Sequence, residues 1–170
     1  MIINTFINSD GTFKLSHDSL RLVNAMSRGL ANSDYRNLEA GIIDTENEFI
    51  HFFPIPESLG SLLDQYFKKF QNPKTIEDIV KAHCELIGIH PFSNGNGRTA
   101  RFIADINLAA LGFTPFLNTN INRGFYYSAM KKYLKQGEFI DMDTFIRSHI
   151  FINNPLDDLQ GSIMPSNRII

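Results

Sequence analysis

Between His90 and Arg101 the chain reads His90-Pro91-Phe92-Ser93-Asn94-Gly95-Asn96-Gly97-Arg98-Thr99-Ala100-Arg101. Gly95 and Gly97 bracket one residue, so the backbone there can turn tightly and approach a ligand without Cβ interference. The next stretch, Arg98 to Leu111, spaces Phe102, Ile103, Ile106, Ala109 and Ala110 as a helix would. A glycine-rich turn that opens a helix presents unpaired backbone N–H groups at the positive end of the helix dipole, which suits an anion. Arg98 and Arg101 stand three residues apart, so both guanidinium groups are expected on the same side of that first turn. A fold built on this stretch has to bring an imidazole, a helix N-terminus and two cations together. The chemistry implied is phosphate binding beside a potential general base.

The rest of the chain narrows where that chemistry can come from. Its 170 residues are 43% hydrophobic, enough for one compact domain with a substantial core. With a net charge of −2, no field of the whole chain recruits nucleic acid or an anionic membrane, and neither partner is expected. Phosphate binding would therefore be local. Cys84 is the single cysteine, which excludes an intrachain disulfide and reads as a buried thiol. Met1-Ile2-Ile3-Asn4 does not open a basic segment followed by a long apolar run. No stretch reaches the roughly 20 apolar residues that span a bilayer. The expectation is a cytoplasmic protein, or an effector secreted without a cleaved signal.

Periodicity predicts a mostly helical domain. Ser16 caps a helix to about Leu30, with Leu20, Val23, Ala25 and Met26 on its apolar side. Leu38–Ile43 and Glu48–Phe53 read as two short strands around a turn at Asp44-Thr45-Glu46-Asn47. Ile42, Ile43, Phe49 and Ile50 are expected mostly to face the core. Pro54 and Pro56 end the hairpin and begin a helix through Leu59, Leu62, Leu63, Tyr66 and Phe67. Thr75-Ile76-Glu77-Asp78 resembles a capping box, and Ile79, Val80, His83, Leu86 and Ile87 form a stripe leading into the motif. Gly112 closes the motif helix. Arg123 to Lys135 reads as the next helix, stopped by Gly137, and Asp141 or Asp143 caps a last one through Phe145, Ile146, Ile150 and Phe151. Residues 154–170 carry little periodicity and read as a tail, leaving one domain over residues 1–153.

The motif resembles the signature of the Fic (filamentation induced by cAMP) family, H-P-F-x-(D/E)-G-N-G-R-x-x-R. Every specified position matches except the acidic one, where Asn94 stands. The resemblance implies a Fic-type helical bundle with a β-hairpin flap over the active-site loop. Its core would cover about residues 20–150 and its flap about residues 36–54. It also implies protein adenylyltransferase activity, in which AMP passes from ATP to a Ser, Thr or Tyr hydroxyl of a target protein. Transfer of another phosphate-linked group, such as UMP or phosphocholine, is the alternative enzyme. By the same resemblance His90 is the catalytic base. Gly95, Asn96, Gly97, Arg98 and Arg101 bind the nucleotide phosphates.

A histidine after an apolar stripe is ordinarily a packed core group, but one beside an anion loop is placed to accept a proton near neutral pH. His17, His51, His83 and His149 lack that context. The acidic position in the family holds Mg²⁺. Asn94 offers one carbonyl oxygen without a charge, so a weakened metal site is expected, the substrate phosphates supplying most of the attraction. Three readings stay open: an active enzyme with a weak metal site, a protein using another metal or substrate, and a nucleotide-binding regulatory or toxin–antitoxin module without turnover. Many relatives are restrained by a glutamate in an (S/T)-x-x-x-E pattern. No Ser or Thr here has Glu four residues later. A separate inhibitory antitoxin is therefore a candidate partner.

Overall fold

The computed structural model describes Phe13 and residues 15–43, 50–113 and 122–152. In chain order these form α1 (His17–Arg28), β1 (Gly41–Ile43), β2 (Ile50–Phe52), α2 (Leu59–Phe70), α3 (Ile76–Ile89), α4 (Asn96–Ala110), α5 (Arg123–Gln136) and α6 (Ile140–Ile152). The protein is a mostly helical bundle carrying a two-stranded antiparallel flap, with Gly41 opposite Phe52 and Ile43 opposite Ile50. The hairpin turn and the tail lie outside the described residues, as do most of the Asn118–Asn122 loop and the side chains of Ile43, Phe49 and Ile50. No helix among the described residues is long and apolar enough to cross a membrane.

Local chemistry sets most of the helix ends. Ser16 and Ser19 form a reciprocal capping box before α1, and Thr75 and Asp78 form one before α3. Gly29 and Gly137 close α1 and α5 in the left-handed conformation. Two expectations are corrected. Pro56 begins a single 3-10 turn, Pro56–Ser58, and the α-helix starts only at Leu59. Neither Asp141 nor Asp143 caps the last helix. It begins at Ile140, and the Asp143 N–H bonds back to the Phe139 carbonyl at 2.8 Å, so both carboxylates sit in the first turn. There they face the dipole favourably without capping it.

At the centre, α3 is buried on nearly every side: Ile76, Ile79, Val80, Cys84, Leu86 and Ile89 are all inaccessible. Such a helix has to be surrounded. α4 packs along it, α1 covers the other flank of α4, and α2, α5 and α6 close around α3. The consequence for the site is mechanical. The C-terminus of α3 and the N-terminus of α4, joined by the motif loop, are held by the best-packed pair in the molecule. Phe92 plugs this loop into the core at 1% exposure, as the sequence implies. Of the four flap residues expected mostly to face the core, Ile42 has a described side chain, and it is exposed, as is Phe52 at 75%. In this stretch Phe53 is the core residue.

Candidate active site

His90 is the C-cap of α3, and its backbone is left-handed at φ 51°. That conformation turns the chain out of α3 and sends the motif loop toward α4. The imidazole is stacked on one face rather than free. Phe53 from the flap end stacks on it, with ring centroids 3.8 Å apart and planes 15° from parallel. Burial pushes its pKa down to about 4, and the charges of Arg36 and His51 push the same way. The nearby Ile87 carbonyl opposes them, but Nδ1 has no well-formed hydrogen bond. At neutral pH the ring is therefore unprotonated, the form a general base requires.

The turn behaves as its glycines imply. Gly95 is left-handed, at φ 84°, and a Cβ on it would lie 2.9 Å from the Arg28 side chain, so a larger residue fits neither sterically nor conformationally. As N-cap it leaves the N–H groups of Asn96, Gly97 and Arg98 without intrahelical acceptors, while the Thr99 N–H closes back on the Gly95 carbonyl at 2.9 Å. These three N–H groups are arranged as an anion cradle would be. The Asn96 side chain is used otherwise. Its amide donates to the Phe92 carbonyl at 2.6 Å and accepts from the Phe92 N–H at 2.9 Å. That pair locks the loop shut, so what Asn96 has left for a phosphate is its main chain.

The two motif arginines part company, which corrects the expectation of a shared side. Arg98 is exposed and donates to the Ser27 carbonyl at the end of α1, 3.1 Å away. Arg101 turns toward α5, its guanidinium carbon 5.2 Å from the centre of the Tyr126 ring. One terminal nitrogen of Arg101 lies 3.4 Å from where a Gly97 Cβ would stand, so the second glycine keeps room for the cation. A pair three residues apart diverges when each finds its own partner on a flanking helix. Asn94 is exposed, and its backbone carbonyl accepts from Asn24 at 3.0 Å.

Three groups escaped the sequence. Asn24 of α1 is fully buried and also donates to the Thr99 hydroxyl at 2.9 Å, tying α1 to the turn. Arg36, only 4% exposed, donates to the carbonyls of His90 at 2.7 Å, Leu38 at 2.9 Å and Pro54, while its N–H bonds to the Pro91 carbonyl at 2.9 Å. It is a clamp between both ends of the flap and the loop carrying the base. His83, placed in the stripe by periodicity, meets Tyr126 across the core, Nε2 lying 3.1 Å from the phenol oxygen. The signals were faint, since each group pairs with a partner far away in sequence. Beside the flap a groove of about 580 Å³ runs along His51, Phe53, Pro54 and Ile55 to Tyr133 and Leu134 of α5.

The metal position can be judged by its donors. Mg²⁺ takes hard oxygens and is usually held by one or two carboxylates together with substrate phosphates. Asn94 supplies one neutral oxygen, and no group of three His, Cys, Asp or Glu residues is placed to hold a metal among the described residues. These residues fit an ion that arrives with its phosphates better than a resident one.

Burial of two histidines is expected to make stability depend on pH. His83 and His90 both have pKa values lowered to about 4, chiefly by desolvation, against an ordinary 6.5. Between those values the unfolded chain binds protons that the folded chain refuses, so stability falls as pH drops through this window and levels off below it. The expected loss is roughly 3 kcal/mol from fully buried His83 and less from half-buried His90, at about 1.4 kcal/mol per pH unit. Urea unfolding at pH 7 and pH 4.5 measures it, and His83→Leu should remove the larger part. Parallel losses in both proteins would mean that His83 titrates normally.

Comparison with known proteins places the chain in a family. Residues 14–108 match the Fic/DOC family. A protein adenylyltransferase Fic from Nematostella vectensis is 34% identical over 117 residues, covering 65% of this chain and 26% of that protein. The chain thus spans about a sixth to a quarter of the length of the curated relatives it matches. Among solved structures, Fic-1 of Caenorhabditis elegans (residues 134–508) superposes with a TM-score of 0.68 at 20% identity, covering 88% of this chain and 45% of that one. BepC of Bartonella tribocorum, a translocated effector solved with bound AMPPNP, superposes at 0.57 with 17% identity, covering 78% of this chain and 73% of its own. With more than half of its length matched and the bundle, flap and motif turn in place, the chain belongs to the Fic/DOC family.

Proposed function

We propose that the chain is a protein adenylyltransferase, moving AMP from ATP onto a Ser, Thr or Tyr hydroxyl of a target protein. One observation carries this reading: a half-buried imidazole ends α3 just before a turn whose free N–H groups and arginines open α4. The hydroxyl oxygen would attack the α-phosphorus while His90 takes its proton. The bond from that phosphorus to the bridging oxygen then breaks, and pyrophosphate leaves. The N–H groups of Asn96, Gly97 and Arg98 would hold the charge that develops, with the side chains of Arg98 and Arg101 on the phosphates farther out. Mg²⁺, held by Asn94 and the phosphates, would supply charge neutralisation on the leaving group. The adenylyltransferase names of the curated relatives support the same reading. The target would lie along the flap, whose exposed Phe52 and Ile55 border the groove.

Incubation of the purified protein with a lysate and ATP labelled at either the α- or the γ-phosphate tests the reaction. Label should reach a protein band from the α position only. Label from neither position would leave the nucleotide-binding reading, which the uncharged, exposed Asn94 favours. Transfer from labelled UTP or CDP-choline instead would identify the alternative enzyme.

Asn94→Asp tests the metal. The substitution adds a hard anionic oxygen in nearly the same volume. The variant is expected to need several times less Mg²⁺ for half-maximal transfer and to label faster at low millimolar metal. Superimposable magnesium titrations for the two proteins would show that Asn94 does not set the metal requirement.

A further inference from the structure

We propose that Tyr126, anchored by His83, is a positioning residue that fixes the Arg101 guanidinium over the phosphate turn. The inference rests on reading that turn as the nucleotide site. A long arginine side chain at a half-buried position has many rotamers, and ordering it costs entropy at binding unless it is ordered beforehand. Here it is ordered beforehand. Its guanidinium lies against the Tyr126 ring at 5.2 Å, a cation–π contact in a desolvated place, and its Nε is buried without a well-formed hydrogen bond. Arg101 is thus held by the ring and the phenol oxygen of Tyr126 rather than by a carboxylate fork, which leaves its remaining N–H groups to an anion.

Tyr126 in turn has to be rigid. It is 4% exposed, wedged against Phe145 at 5.4 Å between centroids, and its hydroxyl meets His83 Nε2 at 3.1 Å. A guanidinium has only donors, so a phenol oxygen that interacts with Arg101 accepts, and its own proton goes to His83. His83 can receive it because burial and the Arg101 charge keep the imidazole neutral. The chain of contacts therefore runs from the central helix α3, through α5, to the cation at the mouth of α4. It aligns a side chain that phosphate would otherwise have to order.

A double-mutant cycle tests this. Tyr126→Phe keeps the ring and loses the hydroxyl, and His83→Leu loses the acceptor from the other side. Each is expected to weaken ATP binding about three- to tenfold in calorimetry, in the range typical of coupled neighbours, with AMP affinity nearly unchanged. In an Arg101→Ala background, neither should add a further loss. Equal losses with and without Arg101 would overturn the proposal, as would unchanged ATP binding in the Phe variant. A nucleotide-free readout runs beside it. The Arg101 Nε–H resonance, assigned by its absence in Arg101→Ala, should be sharp and slowly exchanging in the parent. It should broaden in both single variants at temperatures where thermal melting shows them folded. If ATP does not bind at all, the functional reading fails, and this resonance still decides whether Tyr126 holds Arg101.

Discussion

His90→Ala is expected to abolish transfer while leaving the fold and ATP affinity close to those of the parent. A positioned general base contributes about 10²–10⁴-fold to a rate, and the leaving pyrophosphate needs no proton from the same group. The cradle is built from the main chain of Asn96, Gly97 and Arg98, none of which the substitution touches. Removing the imidazole also removes one face of the stack with Phe53, so a modest loss of stability accompanies the loss of rate. Alanine remains in a left-handed position, as histidine does, and the loop keeps its path. Initial rates with α-labelled ATP, alongside calorimetry of ATP binding, check both halves. Transfer within a few-fold of the parent would remove His90 from the chemistry. Lost binding would instead make it part of the nucleotide cradle. In the parent, the acid limb of the rate profile should fall near pH 4 rather than 6.5, because the burial that lowers the imidazole pKa leaves it unprotonated through that range.

Arg36→Met is the second large effect, and it should appear first in stability. The substitution keeps length and apolar volume but deletes every donor, leaving the carbonyls of His90, Leu38 and Pro54 without this partner. A hydrogen bond to a charged group contributes about 1.5–3 kcal/mol, offset here by relief of burying the cation, whose pKa is lowered by desolvation. A net loss of about 3 kcal/mol corresponds to a melting temperature about 6–12 °C lower for a chain of this size. Transfer should fall at least tenfold even at temperatures where the variant is folded, since His90 is no longer held from below and small misplacements are expensive in rate. Arg36→Lys reaches one carbonyl at most and should lie between the two. A Met variant melting within a degree of the parent would show that the clamp carries nothing.

What could be read from the chain was what is local in the chain. The Gly95-Asn96-Gly97 turn, the start of α4 and the place of His90 follow from neighbours within a dozen residues, and the capping boxes at Ser16 and Thr75 are local by nature. The stripe of α3 was legible because a helix buried all round has an unmistakable composition. The residues that hold the site together were not. Arg36 meets a carbonyl 54 residues away, and His83 meets a phenol 43 residues away. Such pairings leave no periodic trace, and a lone arginine beside a tyrosine looks like surface. The shared side expected for Arg98 and Arg101 failed for the same reason. Helical spacing says where two side chains leave the backbone, but the carbonyl of Ser27 and the ring of Tyr126 decide where they end. The flap was right in kind, and Ile42 was wrong in burial, because two three-residue strands give alternation too little length to tell inside from outside.

The left-handed backbone of His90 has one more consequence. A residue closing a helix in that conformation is ordinarily glycine, and a side chain there costs on the order of 1 kcal/mol. His90→Gly should therefore fold more stably than His90→Ala, the relaxed backbone returning part of what the lost stack on Phe53 costs. At this one codon a library screened for heat resistance would weigh a relaxed backbone against a lost ring stack, two opposed contributions of similar size.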